Sequence, residues 1–459
     1  MKKRITLFVL VFLLSSLLQV VLGILNREAK DNHLQVVRII LNEHTLNIPV
    51  ERCWECFQPK LYHLLGAVLI RVFSIKSETM MIITLQFVSV IAGITTIFIT
   101  YKFLKKVCSN EKVRLVLFSL VAFNPRFIGV NAQATNDSLV IMLSVAAAYA
   151  FYLFLEDPRA RKFFLSAILI VLASITKANA LFLLFSLMLI LFLKILGSRK
   201  QNRRKLSVYF ALFLLLIIPA TAFLGGYYSN YVKYGDPTKT NREKYPFPDF
   251  LREKFYPERR PGTTSVVNTY LTFRIIDLVR NPMINRGYDP VPKHRTSLWT
   301  QLYGRLNFVH FDKWPLSWKT DSPFVINLGR VIMVVALLPA LVFVFGLFTT
   351  TIAAFRSLVW KGLRYFETNE DWVFLIIGAA YVSFIIVYSG IIRDFASMKV
   401  IFLFPGLLGF AKIFANGLEK TYAALPRLAR LISIALYVLV LLYITDIVCL
   451  ILQLAGITF

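Results

Sequence analysis

An all-α membrane protein with about eleven transmembrane helices is predicted by three observations on this chain. Hydrophobic residues make up 57% of its 459 positions and charged residues only 17%, which leaves too little polar surface for a soluble fold. Its apolar residues gather in runs that repeatedly approach the roughly 20 residues needed to cross a bilayer. Its lysines and arginines fall in alternate inter-run loops, the pattern by which cytoplasmic loops are recognised.

The runs can be taken in order. Residues 5–25 follow a charged Met1-Lys2-Lys3-Arg4 start but exceed the ~7–15 residues of a signal-peptide core, and no Ala-x-Ala site follows. They read as an uncleaved first helix. Further spans are expected at 80–101, 115–131, 138–155, 163–177, 180–196, 206–226, 328–353, 373–390, 397–414 and 429–452. The segment 61–75 is short, carries His63 and Arg71 and follows Pro59, so it reads as a helix lying in the interface.

The charge pattern tests that choice. With 61–75 not crossing, Lys102, Lys105, Lys106, Lys112 and Arg114 fall on the cytoplasmic side with the N-terminus, as do Arg159, Arg161 and Lys162. So do the clusters Arg199–Lys205, Arg356–Arg364 and Lys420–Arg430. If 61–75 crossed, every one of these clusters would face outward. The stretch 227–325 then lies outside as a small folded insert, its basic character notwithstanding, because loops beyond ~60 residues translocate largely regardless of charge. The expected organisation is a transmembrane catalytic module at 1–226 with an outer loop at 26–60, the insert at 227–325, and C-terminal helices at 326–459. No internal repeat or low-complexity tract interrupts it.

A formal charge of +27 raises nucleic acid as a partner, but no solvated basic domain fits between the apolar runs. Anionic lipid headgroups are the expected partners of the basic loops. Four cysteines are too few for a disulfide scaffold. Cys53 and Cys56 form the one close pair, and a local disulfide or two packed thiols are favoured over zinc, which needs about four ligands.

Polar residues distant in sequence meet on the outer side. The first outer loop carries Glu28, Asp31, His33, Glu43, His44, Glu51, Glu55 and His63, a concentration of proton-transfer groups at one membrane boundary. The same parity brings Asn136-Asp137-Ser138, Lys177 and Arg393-Asp394 to that face. Ionisable groups at membrane depth are costly and point to function, yet each has a plainer reading. Asp31 is also suited to cap a helix over 33–41, and Asn136-Asp137 to open the next apolar helix, where a cap and a favourable dipole are both expected. Lys177 is able to snorkel to the headgroups, Arg393 and Asp394 to neutralise each other, and Tyr62 and Trp54 to act as interfacial anchors.

Taken in order, these residues resemble the polyprenyl-phosphate-dependent glycosyltransferases of the GT-C fold, with protein O-mannosyltransferases and lipid A aminoarabinose transferases as the nearest relatives. Asp31-Asn32-His33 is similar to an Asp-Glu-x-x-His pattern that follows the first helix in that family. Gln58-Pro59-Lys60-Leu61-Tyr62-His63 resembles Gln-Pro-Pro-Leu-Tyr-Tyr. Asn124-Pro125 with Ala134-Thr135-Asn136-Asp137-Ser138-Leu139 resembles the second outer loop, Leu172 to Lys177 a Leu-Thr-Lys turn, and Tyr234-Gly235-Asp236-Pro237 the opening of the large outer loop. The likeness covers the first 240 residues well and the rest only in helix count. Asn32 stands where the family has a second acidic residue, which puts a two-carboxylate metal site in doubt, and Lys60 stands where it has a second proline, supplying a positive charge that relatives place differently.

The resemblance implies a GT-C-like bundle and transfer of a sugar from a polyprenyl-phosphate donor to a hydroxyl of a protein, lipid or glycan acceptor, with inversion at the anomeric carbon. It implies Asp31 as general base with Asp137 assisting, and Lys60, Lys177 and Arg393 at the donor phosphate. His33, Glu55, Gln58, Tyr62, His63 and Asn136 are implied as substrate-binding. No metal ligand set is expected; a divalent ion is compatible with the sequence but not required by it. A nucleotide-sugar donor is disfavoured because no Asp-x-Asp is present to hold a diphosphate metal. The competing class is a transporter or lipid flippase. Against it, the charges gather at one face rather than at the midplane, and no paired broken helices are legible. The expected setting is a plasma or inner membrane, with the endoplasmic reticulum as the alternative, the N-terminus cytoplasmic and the active site outside.

Overall fold

The computed structural model describes residues 2–28, 32–240, 265–283, 296–312, 315–391 and 397–457. Every regular element among them is a helix. Nine are long and apolar enough to cross a bilayer, and the pair Glu111–Ala122 and Pro125–Asn131, bent by 46°, is a tenth candidate. Ala160–Ser174, where a span was expected at 163–177, has only 15 residues. Nine of the expected runs overlap these long stretches, 115–131 overlaps the bent pair and 163–177 the 15-residue helix, so nine, or ten with the bent pair, pass as crossings among the described residues. The chain is an integral multi-pass membrane protein.

The segment 61–75 forms a helix over Leu61–Val72, 12 residues long and so too short to span about 30 Å of hydrocarbon at 1.5 Å per residue. It packs on the amphipathic helix His33–Glu43, whose buried face is His33, Leu34, Val36, Val37 and Ile40. The pair forms a ledge beside the bundle.

Helix Asp137–Glu156 lies at the centre. It is the most enclosed of the first five long helices, with Ala147, Ala148 and Ala150 letting its neighbours Glu78–Val107 and Ala160–Ser174 approach closely. A second close crossing joins Leu337–Lys361 to Leu407–Ala424. There a Cβ on Gly417 would meet Val342 O at 2.6 Å and the Gly346 Cα at 2.9 Å.

The bend at 123–125 has a local cause. Asn124 caps the following helix by accepting from Phe127 N at 3.0 Å, and Pro125 occupies its first turn, where the missing N–H is harmless. The resulting helix Pro125–Asn131 is buried at all seven positions, Arg126 included.

The described part of the insert shares its core with the membrane helices. Leu278, Tyr303, Phe308, Phe311 and Trp318 pack with Leu18 and Leu22 of the first helix and with Leu439, Tyr443 and Ile447 of the last. Polar ties reinforce this: Leu316 N and Ser317 N donate to Glu28 at 3.0 and 2.9 Å, and Trp318 Nε1 to Asn26 Oδ1 at 3.3 Å. The helix that follows begins at Pro323, three residues ahead of the boundary expected at 326.

Candidate active site

The loop between the two ledge helices is closed by a disulfide between Cys53 and Cys56. Among the described residues no three His, Cys, Asp or Glu side chains converge as a metal set would. The disulfide brings two carbonyls to bear on Lys60, whose Nζ donates to Cys56 O at 2.5 Å and to Gln58 O at 2.6 Å. Burial pushes the Lys60 ammonium down to about 8, against the opposing pull of Glu55, itself buried.

Beneath this loop, His33 Nδ1 lies 3.0 Å from His63 Nε2, both rings buried, with Tyr62 packed edge-on against each. Burial, then the neighbouring His33 and Lys60, hold His63 well below its ordinary range, so it is neutral at physiological pH. One ring must donate and the other accept.

The backbone then ties this loop to a distant turn, Leu61 N donating to Ile175 O at 3.2 Å. That turn presents Lys177, and opposite it the first turn of the central helix presents Asn136 and Asp137. Lys177 Nζ lies 2.7 Å from Asp137 Oδ1 and 3.1 Å from Asn136 Oδ1. Thr135 donates to the other Asp137 oxygen at 3.1 Å. Asn136 Nδ2 donates to Thr176 O at 3.3 Å and reaches Gln58 Oε1 at 3.5 Å. The Lys177 ammonium also sits 5.6 Å from the Phe402 ring centre.

Two plainer readings are thereby displaced. Asn136 occupies the cap position of its helix but makes no side-chain cap hydrogen bond, because its amide is committed to Gln58, Thr176 and Lys177. Lys177 does not snorkel outward: its side chain is 14% exposed and paired with a carboxylate that is 6% exposed. Asp31 and Arg393 lie outside the described residues, as does Asp394. Asn32, not Asp31, holds the cap position of helix His33–Glu43, and it too makes no side-chain cap hydrogen bond; its amide donates to Gln35 Oε1 at 3.0 Å.

The structure adds residues that sequence reasoning passed over. Arg126 Nη2 donates to Asp312 Oδ2 at 2.8 Å, while Arg305 holds the same carboxylate through Nε at 3.1 Å and Nη2 at 3.0 Å. Arg305 Nη1 also donates to Met398 O at 2.6 Å. Arg126 and Asp137 line a small cleft together with Val130, Gln133, Thr135, Lys399 and Ile401. The signal in the sequence is Asn124-Pro125-Arg126, an arginine immediately after a helix break within an apolar run.

Comparison with known proteins agrees with this region. The sequence model of the family described as dolichyl-phosphate-mannose-protein mannosyltransferase matches residues 59–223, a span that includes Lys60, His63, Arg126, Asn136, Asp137 and Lys177. No curated protein matches the chain. Among solved structures, the apo oligosaccharyltransferase of Archaeoglobus fulgidus is similar at 14% identity with a TM-score of 0.50, covering 98% of this chain and 56% of that one. The same organism's oligosaccharyltransferase AglB in complex with an inhibitory peptide and a dolichol-phosphate gives 14% identity and a TM-score of 0.49, covering 98% and 55%. ArnT from Cupriavidus metallidurans bound to undecaprenyl phosphate gives 14% and 0.36, covering 92% and 79%. The chain spans about 55% of the length of the first of these enzymes that it matches. The fold is that of the GT-C membrane enzymes, as the resemblance implied.

Proposed function

We propose that this chain is an integral membrane glycosyltransferase that moves a sugar, a hexose by its family likeness, from a polyprenyl-phosphate donor to an acceptor hydroxyl. The observation that carries the reading is a coincidence of two kinds of evidence. The residues 59–223 that match the dolichyl-phosphate-mannose family model include Asn136, Asp137 and Lys177, which the fold gathers into one buried polar cluster reaching Gln58.

In this reading the acceptor oxygen attacks the anomeric carbon, its proton passes to the Asp31 carboxylate, and the bond from carbon to phosphate oxygen breaks with its electron pair on the phosphate. A single in-line displacement inverts the anomeric centre. Asp137 is the supporting carboxylate: with Lys177 on one oxygen and Thr135 on the other it is too committed to act as the base, and it orients the sugar. Lys60, Lys177 and Arg393 supply positive charge toward the phosphate, and His33, Glu55, Gln58, Tyr62, His63 and Asn136 shape the sugar and acceptor site. The acceptor is a protein, lipid or glycan hydroxyl. The active site faces outward and the N-terminus the cytoplasm, a sidedness supported by the five basic loop clusters, whose partners are anionic headgroups.

The test incubates purified protein in lipid nanodiscs with radiolabelled polyprenyl-phosphate sugars and membrane extract and follows the label. Transfer with inversion is expected, and Asp31→Asn should lower turnover about 10²–10⁴-fold with the fold retained. Wild-type turnover in that variant would remove the base assignment. Label transferred from no donor would favour the transporter reading instead.

A further inference from the structure

We propose that the groove between the two ledge helices binds an anionic phospholipid of the surrounding membrane, its phosphate on Arg71 and His44 and the start of an acyl chain along Leu64 and Val68. This does not depend on the sugar-transfer reading, because it concerns the end of the ledge away from the candidate active site.

The helices His33–Glu43 and Leu61–Val72 are joined at both ends. His33 meets His63 near their starts, and near their ends Arg71 Nη1 donates to His44 Nδ1 at 3.3 Å. From His63 to Arg71 the helix advances 1.5 Å per residue, so the second contact lies roughly 12 Å from the first. Between them is a groove of about 210 Å³ walled by Leu41, Leu46, Leu64 and Val68, with Arg71 and His44 also lining it. Among the described residues no Asp or Glu lines it. Helix Leu61–Val72 is too short to cross a bilayer, yet Val72 and Phe73 at its end are 68% and 69% exposed. An apolar face of that kind is suited to the boundary of headgroups and acyl chains, where the material that meets the groove is lipid.

Charge complementarity selects the headgroup. Arg38 of the first ledge helix pairs with Glu78 at 2.7 Å, and Arg52 of the connecting loop pairs with Glu43. Arg71 has the His44 ring and no carboxylate partner among the described residues. A guanidinium only donates, so His44 Nδ1 is the acceptor in this contact and the ring hydrogen sits on Nε2, a second donor on the residue beside Arg71. His44 holds this place at a φ of 53°, in the left-handed region where Gly is the usual residue after a helix. A side chain there costs about 1–2 kcal/mol, and the contact with Arg71 is what the imidazole adds. Two donors, one of them permanently charged, suit the oxygens of a phosphodiester. Phosphatidylglycerol has one net negative charge, whereas phosphatidylcholine answers its phosphate with its own ammonium, so the groove favours the first. One basic residue near an anionic lipid surface is worth about 1 kcal/mol, roughly a five-fold preference.

The experiment places the full chain in phosphatidylcholine nanodiscs that carry a trace of phosphatidylglycerol or of phosphatidylcholine with a photoreactive acyl chain, and maps the crosslinks by peptide mass spectrometry. Label is expected within residues 40–46 and 64–71, about five-fold more from phosphatidylglycerol. Arg71→Gln should bring phosphatidylglycerol down to the phosphatidylcholine level. His44→Gly, which suits the backbone of the turn, should lower it about two- to ten-fold by removing one donor. Val68→Trp, at a half-exposed position on the groove wall, should reduce both labels. Equal labelling of the wild type by the two lipids would overturn the assignment, as would a folded Arg71→Gln that keeps the preference or a folded Val68→Trp labelled as wild type. Label absent from these residues would overturn it too, the result expected if a second copy of this chain covers the groove. Loss of the phosphatidylglycerol label on adding an equal amount of polyprenyl phosphate would also overturn it and give the groove to a polyprenyl chain.

Discussion

Lys177 and Asp137 are joined at 2.7 Å across 40 residues of chain, the ammonium on the turn after one apolar helix and the carboxylate on the first turn of the central one. Both side chains are largely enclosed, so either group left alone would be a poorly solvated charge. Breaking such a pair by removing one partner costs about 3–5 kcal/mol. Lys177→Met and Asp137→Asn are each expected to lower the thermal midpoint clearly. The double variant should lose less than the sum, by a coupling of about 1–3 kcal/mol. Thermal unfolding of the four proteins in nanodiscs checks this, and additivity within about 0.5 kcal/mol would show the two residues to be independent.

The Lys60 ammonium gives a pH signature. Its folded value is depressed to about 8 from an ordinary 10.5, so the unfolded chain holds this proton more tightly. Below pH 8 both states are protonated and the full burial penalty is present; as pH rises from 8 toward 10.5 the folded state sheds its proton first and the penalty fades. Stability from this group therefore increases with pH across that window, by at most about 3 kcal/mol. Lys60→Met should flatten that part of the profile and raise the midpoint at pH 7.5. Thermal scans between pH 7.5 and 10.5 measure both effects, and parallel profiles for the two proteins would contradict them.

Apolar run length and loop charge made the helices legible, because a lipid solvent forces every spanning segment to satisfy its backbone internally. They did not show that 115–131 bends at Asn124-Pro125 or that the helix at 160–174 is short, since composition reports greasiness and not the path of the chain. At the site, Asn136, Asp137, Lys177, Gln58 and Lys60 were legible as charged or polar exceptions in apolar surroundings. The Arg126, Asp312 and Arg305 cluster was not, because its partners lie 186 and 7 residues apart in sequence and only the fold reveals that two arginines share one carboxylate. The insert reads from the sequence as a small folded unit outside the membrane, and its described residues Phe308, Phe311 and Trp318 use apolar partners on the first and last membrane helices. Alternation and spacing within the insert carry no record of such partners.

The crossing of Leu337–Lys361 and Leu407–Ala424 supplies a prediction away from the chemistry. At Gly417 a methyl group would fall 2.6 Å from Val342 O and about as close to the Gly346 backbone, and none of these atoms belongs to a flexible side chain. Gly417→Ala should force the helices apart at a cost of about 1–3 kcal/mol. A lower thermal midpoint with unchanged turnover per folded molecule is expected. A midpoint equal to wild type would mean that the two helices are not held this closely.

Asn136 separates a structural role from a site role most cleanly. If it served as a helix cap, Ser would replace it at little loss, since Ser and Asn cap about equally well. In the structure the cap hydrogen bond is absent, and the amide instead reaches Gln58, Thr176 and Lys177. A serine hydroxyl is too short to span that gap, so Asn136→Ser should leave Lys177 and the loop at Gln58 unjoined. The expected result is a thermal midpoint within a few degrees of wild type and turnover reduced about ten-fold, on the order of one charge-assisted hydrogen bond. Asn136→Asp keeps the length and the acceptor for Lys177 but replaces the donor toward Gln58 with a second carboxylate beside Asp137, and it should be slower still. Should Asn136→Ser transfer sugar at the wild-type rate, the amide bridge would have no part in catalysis, and Asp137 with Lys177 would have to hold the site without it.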